Sequence, residues 1–176
     1  NYLNDYSELQ TEFLKKFQKS KIRWVKAGIK FLELSLNKEY KNFYRNKSRT
    51  IWNVSLYSIS FIIKKFWRRR FIEKYLQTNL NTEKPFIYFP LQLEPERTIQ
   101  IPAPYYTNQI DVINKIVKSL PVHFTSYVKE HPAQSISGWR TRSFYKEILE
   151  MPNVELFHPY IKNEIMIKNC SMVITI

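Results

Sequence analysis

The sequence predicts an α/β fold built on a parallel sheet, preceded by an all-helical, basic segment. Three observations carry that expectation. Residues 1–80 hold 18 of the 28 Lys/Arg but only 6 of the 15 Asp/Glu, whereas residues 81–176 are close to neutral. All nine prolines fall after residue 80. The hydrophobic pattern also changes there, from helical spacing alone to short apolar runs alternating with helical stretches, the signature of βαβ units. The polar, proline-terminated stretch 78–85 reads as the connection, giving a basic helical segment over 1–80 and an α/β part over 81–176.

In the first part, Ile22, Val25, Ile29, Leu32 and Leu36 recur at steps of three and four and form one helical stripe. Leu9, Phe13 and Phe17 form a shorter stripe. The longest seam runs through Ile59, Ile62, Ile63, Phe66, Trp67, Phe71 and Tyr75, with the basic clusters Lys64-Lys65 and Arg68-Arg69-Arg70 largely off it. Those clusters read as a solvated face, as a surface for an anionic membrane, or as a site for an acidic polymer such as a charged polysaccharide. Nucleic acid is disfavoured, because the aromatics sit at core spacing and no nucleic-acid module signature is present.

In the second part, 85–89 (PFIYF) reads as a buried strand. Residues 108–120 read as a helix with Ile110, Ile113, Val117 and Leu120 inward, ended by Pro121. A strand over 122–128 follows and makes His123 a mid-strand, structural histidine. Next come a helix over 141–150 with Phe144, Ile148 and Met151 inward, a strand over 154–157, a helix over 162–169 and a strand over 172–176.

Composition excludes several function classes. The chain is 44% hydrophobic and 16% aromatic, which excludes disorder as the default. One cysteine, Cys170, excludes a disulfide framework and a Cys-rich zinc site, and no HExxH or GxSxG motif occurs. Two glycines leave no room for GxGxxG or a Walker loop. The longest uncharged run, 50–63, falls short of the ~20 residues a membrane span needs. The chain starts without methionine and stops inside the apolar run 172–176, so it reads as a piece of a longer protein.

Ligands of open parallel sheets bind outside the carboxyl ends of the strands. Residues 90–97, 129–132 and 158–159 follow the three expected strands directly, and they gather Glu94, Glu96, Glu130, His131 and His158 on one edge. Each has a plainer alternative: Glu94 and Glu96 as exposed turn carboxylates, Lys129 and Glu130 as a surface ion pair, the two His-Pro pairs as turns.

The strings FIYFPLQLEPERT at 86–98, YVKEHP at 127–132, FY at 144–145, PNV at 152–154 and VITI at 173–176 occur in that order. Together they resemble the bacterial capsule polysaccharide biosynthesis and export family, over residues 84–176 and hardly at all over 1–80. Gln92 and Glu94 stand where the family often has His and Gln, whereas Glu96, Arg97 and Thr98 fit its pattern. The family's TGT-type loop would begin just after Ile176. The resemblance implies an incomplete Rossmann-like domain, one half of a GT-B glycosyltransferase, using a nucleotide-sugar donor, with CMP favoured, and no metal or other cofactor. The implied acceptor is a growing surface polysaccharide or its lipid-linked primer, at the inner face of the cytoplasmic membrane. It implies that His131 and Pro132 contact the donor phosphate, with Lys129 adding positive field and Glu130, Arg97 and Thr98 in the binding set. Glu94 or Glu96 would orient or deprotonate the acceptor hydroxyl, or bind the sugar. His158 and Pro159 would sit at the nucleobase. The competing expectation is a non-catalytic capsule assembly or export factor with the same fold.

Overall fold

The computed structural model describes residues 21–37, 39–40, 50–94 and 104–176. The chain divides into two compact units, residues 1–64 and 65–176. Helix α1 is Lys21–Leu36 and helix α2 is Ile51–Tyr75. The second unit continues through β1 (Phe86–Pro90), α3 (Gln109–Ser119), β2 (Thr125–Lys129), α4 (Arg142–Leu149), β3 (Val154–Phe157), α5 (Asn163–Asn169) and β4 (Met172–Val173). All pairings are parallel and the strand order is β3-β2-β1-β4. The α/β class with a parallel Rossmann-like sheet is therefore as expected.

The central strands β1 and β2 are buried on both faces, which is why β1 reads as an unbroken apolar run rather than an alternating one. Phe89, Val128 and Leu156 pack with Val112 and Ile113 of α3 and with Tyr145 and Ile148 of α4. Phe86, Tyr88, Tyr127 and Phe157 pack with Met166 of α5 on the opposite face. The chain thus steps outward from β1 to β3 with its helices on one side, then returns on the other side to place β4 beside β1. That reversal creates a topological switch point between β1 and β4, where open α/β sheets hold ligands.

Local sequence explains the element ends. Asn108 caps α3 by accepting from Asp111 N–H, and Thr141 caps α4 by accepting from Phe144 N–H at 3.3 Å. Asn153, at φ 55°, supplies the left-handed turn before β3, a conformation Asn tolerates. Gln77 forms a parallel bridge with Phe157, donating to Leu156 O and accepting from His158 N–H, which covers part of the outer edge of β3.

Two expectations need correction. Strand β2 begins at Thr125, because Phe124 N–H closes a turn onto Pro121 O at 2.9 Å, so His123 lies exposed in that turn rather than mid-strand. On α2 the expected seam is largely at the surface: Ile59, Ile62, Ile63, Phe66 and Trp67 are each more than half exposed. Ile72 and Leu76 are buried instead, with Phe71 packed beside them. Apolar residues occur all round this helix, so periodicity alone does not select the buried side. The Val25, Ile29, Leu32 and Leu36 stripe is helical and exposed, and the Leu9, Phe13 and Phe17 stripe lies outside the described residues.

Candidate functional site at the carboxyl edge of the sheet

The edge is organised around a residue that motif reasoning passed over, Arg140. Its Nε donates to Glu130 Oε2 at 3.0 Å, its Nη2 donates to Gln92 O, and its Nη1 lies 2.7 Å from Glu94 Oε2. The Nη1 contact is electrostatic rather than a directed hydrogen bond, since no acceptor lies on that group's N–H axis. The guanidinium also stacks over the Phe144 ring at 4.6 Å. The backbone feeding Arg140 is unusual: Gly138 and Trp139 both have positive φ, 90° and 64°. For a bulky residue such as Trp139 this costs about 1–3 kcal/mol and needs external support. Arg68 supplies it, donating from Nη1 to Gly138 O at 3.2 Å and Trp139 O at 2.8 Å, while Trp139 N–H donates to Gln134 O.

Glu130 and Lys129 are neighbours on a strand end, so their side chains leave on opposite faces. Both are buried, and they do not pair with each other on the surface. Glu130 accepts from Arg140, from Tyr145 Oη at 2.7 Å and from the His131 backbone N–H at 2.7 Å, so both of its oxygens are occupied internally. Burial pushes its carboxyl above the ordinary range, with Arg140 and the other donors pulling against that. Burial and the adjacent Glu130 also raise the Tyr145 phenol. Lys129 turns to the α5 face and donates to Asn163 Oδ1, which also accepts from Tyr88 Oη at 3.0 Å. Among the described residues no carboxylate pairs with Lys129, and burial lowers its ammonium to about 8.

The segment after β1 is fixed by side chains. Gln109 accepts from Gln92 N–H at 2.8 Å and donates to Gln92 O and to Glu94 Oε1. Gln134 accepts from Glu94 N–H and donates to Glu94 O, both at 3.1 Å. Glu94 is thus held on both carboxylate oxygens with 41% of its side chain exposed. Gln92 Nε2 reaches Thr175 Oγ1 at 3.2 Å, across the β1/β4 switch point.

His131 caps the 3-10 turn Pro132–Ser135, its Nδ1 accepting from Ala133 N–H at 3.1 Å. That acceptor role fixes the neutral tautomer with its proton on Nε2. His158 and Pro159 are buried beyond β3, His158 beside the Tyr160 ring at 5.2 Å. Burial lowers the His158 imidazole to about 4, which leaves it neutral at physiological pH. Glu94, Lys129, Glu130, His131, Pro132, His158 and Pro159 therefore all lie at or just beyond the carboxyl ends of the strands. Glu96, Arg97 and Thr98 fall outside the described residues.

Sequence reasoning missed Arg140, Tyr145, Gln109, Gln134 and Asn163. One signal was available for three of them. In a βαβ unit the amino ends of the helices lie at the same edge as the carboxyl ends of the strands. Gln109 and Asn163 open α3 and α5, and Arg140 sits two residues before α4.

No curated protein and no solved structure matches the chain. A family profile described as capsule polysaccharide biosynthesis protein matches residues 25–176, so the resemblance, expected over 84–176 and hardly at all over 1–80, extends through most of α1 and all of α2. The chain belongs to the capsule polysaccharide biosynthesis family.

Proposed function

We propose that the second unit is the nucleotide-sugar-binding front of a glycosyltransferase that extends a capsule or surface polysaccharide, with a CMP-activated donor favoured. The observation that carries this reading is the edge itself: a hydrogen-bond donor with a fixed tautomer (His131), a buried amine (Lys129) and an anchored carboxylate (Glu94) around a parallel-sheet switch point. In the proposed reaction the acceptor hydroxyl attacks the anomeric carbon while the bond from that carbon to the donor phosphate oxygen breaks. The hydroxyl proton passes to Glu94 or Glu96. The departing phosphate takes a hydrogen bond from His131 Nε2–H, in the field of Lys129. Pro132, Arg97 and Thr98 complete the donor contacts, and His158 and Pro159 flank the nucleobase. No metal ion enters the scheme.

A thermal-shift screen of the full-length protein against CMP, UDP and GDP tests this. A ligand at 100 times its Kd stabilises by ~2.7 kcal/mol, which raises Tm by several degrees for a chain of this size. Absence of any shift with all three nucleotides would overturn the reading.

A non-catalytic assembly or export factor is favoured by one observation: both described carboxylates at the edge, Glu94 and Glu130, already pair with Arg140. Such a protein would bind a nucleotide-sugar without consuming it. On the glycosyltransferase reading the acceptor is a polysaccharide or a lipid-linked primer, and on either reading attachment is peripheral, at the inner face of the cytoplasmic membrane. Supporting this, α2 exposes Trp52, Phe66 and Trp67 along with Lys64, Arg69 and Arg70. No described helix is long and apolar enough to cross a membrane.

A further inference from the structure

We infer that Arg140 is the positioning residue of this edge, setting His131 and Glu94 in one fixed relation so that a ligand meets both at once. The two groups arrive from different strands, His131 after β2 and Glu94 after β1, and nothing in local sequence fixes their spacing. Gln134 ties the Glu94 backbone to the turn that His131 caps, and one guanidinium ties the Glu94 carboxylate to the carboxylate that holds the His131 backbone. Through Nε it holds Glu130, whose other oxygen holds the His131 backbone N–H at 2.7 Å. Through Nη2 and Nη1 it holds Gln92 O and the Glu94 carboxylate. The fork is 3% exposed, so it acts through these partners rather than on a ligand. Arg suits the position because its planar donors reach two acceptors at fixed angles while its charge faces the Glu94 carboxylate, which a Lys ammonium on a flexible stem cannot reproduce. The left-handed Gly138-Trp139 pair, held by Arg68, sets the direction in which the fork enters.

The test is Arg140→Lys in the full-length protein, with two readouts. Histidine-selective NMR follows the ring resonances of the chain's three histidines through a pH titration. The His131 resonance and its titration midpoint should move in Arg140→Lys, while those of the exposed His123 stay in place. An unmoved His131 overturns the inference. The second readout rests on the nucleotide reading above and is a double-mutant cycle on CMP binding. Arg140→Lys should weaken CMP about tenfold, but less than about twofold further when added to His131→Ala. Equal weakening in both backgrounds, or none in either, overturns the inference. If the wild-type protein binds none of CMP, UDP and GDP, the proposed function fails and the NMR readout alone decides the positioning role. Should Arg140→Lys not fold, Glu130→Gln with Arg140→Met removes both buried charges together and is read by the same NMR criterion.

Discussion

Lys129→Met is the substitution whose outcome the structure specifies most fully. Lys129 is 4% exposed, its ammonium donates to the neutral Asn163, and burial lowers that ammonium from 10.5 to about 8. At 1.36 kcal/mol per pKa unit, holding the charged amine in the fold costs ~3 kcal/mol. The sign follows from where the proton sits. Below pH 8 the amine is charged in both folded and unfolded chains, and the penalty is present in full. As pH rises from 8 toward 10.5 the folded chain gives up the proton while the unfolded chain keeps it, so the penalty fades. Methionine has similar length and no charge, so the variant should be more stable than wild type at neutral pH by ~1–3 kcal/mol. In urea unfolding that advantage should narrow by roughly 1 kcal/mol between about pH 7 and about pH 9. Tyr88 and Tyr127, both raised to about 12, work in the opposite direction only at higher pH, where their unfolded phenols ionise. The same variant should bind nucleotide more weakly, a stability gain coupled to a functional loss. A variant less stable than wild type at pH 7, or an advantage that does not change with pH, refutes the reasoning.

His131→Ala should lower turnover of the full-length protein by ~10²–10⁴, measured as donor consumption, without a matching fall in Tm. His123→Ala, in an exposed turn, should leave both turnover and Tm unchanged. Arg68→Gln should cost roughly 1.5–3 kcal/mol in chemical denaturation, because its charged donors cap Gly138 O and Trp139 O. Arg69→Gln and Arg70→Gln, both exposed, should each stay within about 0.5 kcal/mol of wild type. Lys64, Arg69 and Arg70 are therefore the set to replace in a vesicle assay, each loss of charge weakening binding to anionic lipid by ~1 kcal/mol and leaving neutral vesicles unaffected. Gly138→Ala should destabilise by ~1 kcal/mol or more in a thermal melt, since φ 90° is a conformation only glycine adopts without strain.

The order of strands and helices and the residues at the carboxyl edge were legible in the pattern of apolar runs and prolines. The continuous apolar run at 86–89 has to be buried on both faces, and with helical stretches alternating with the short strands that follow it implies a parallel sheet with helices on each side. Once the sheet is parallel, the residues after each strand share one end, so Lys129, Glu130, His131, His158 and Glu94 were legible as neighbours of the edge. Their partners were not. Whether Glu130 pairs with Lys129 or with Arg140 depends on which face each side chain leaves by and on what lies opposite, ten residues further along the chain. Likewise, α2 carries apolar residues on every side, and only packing against β3 and α4 selected Ile72 and Leu76 over the Ile59–Tyr75 seam. The beginning of β2 turned on a single backbone hydrogen bond, Phe124 N–H to Pro121 O, which no periodicity encodes. Hydrophobic pattern is a local property and fixes what must be buried. The choice of partner for a buried charge is a property of three dimensions, because it is made by groups that only the folded chain brings within 3 Å of each other.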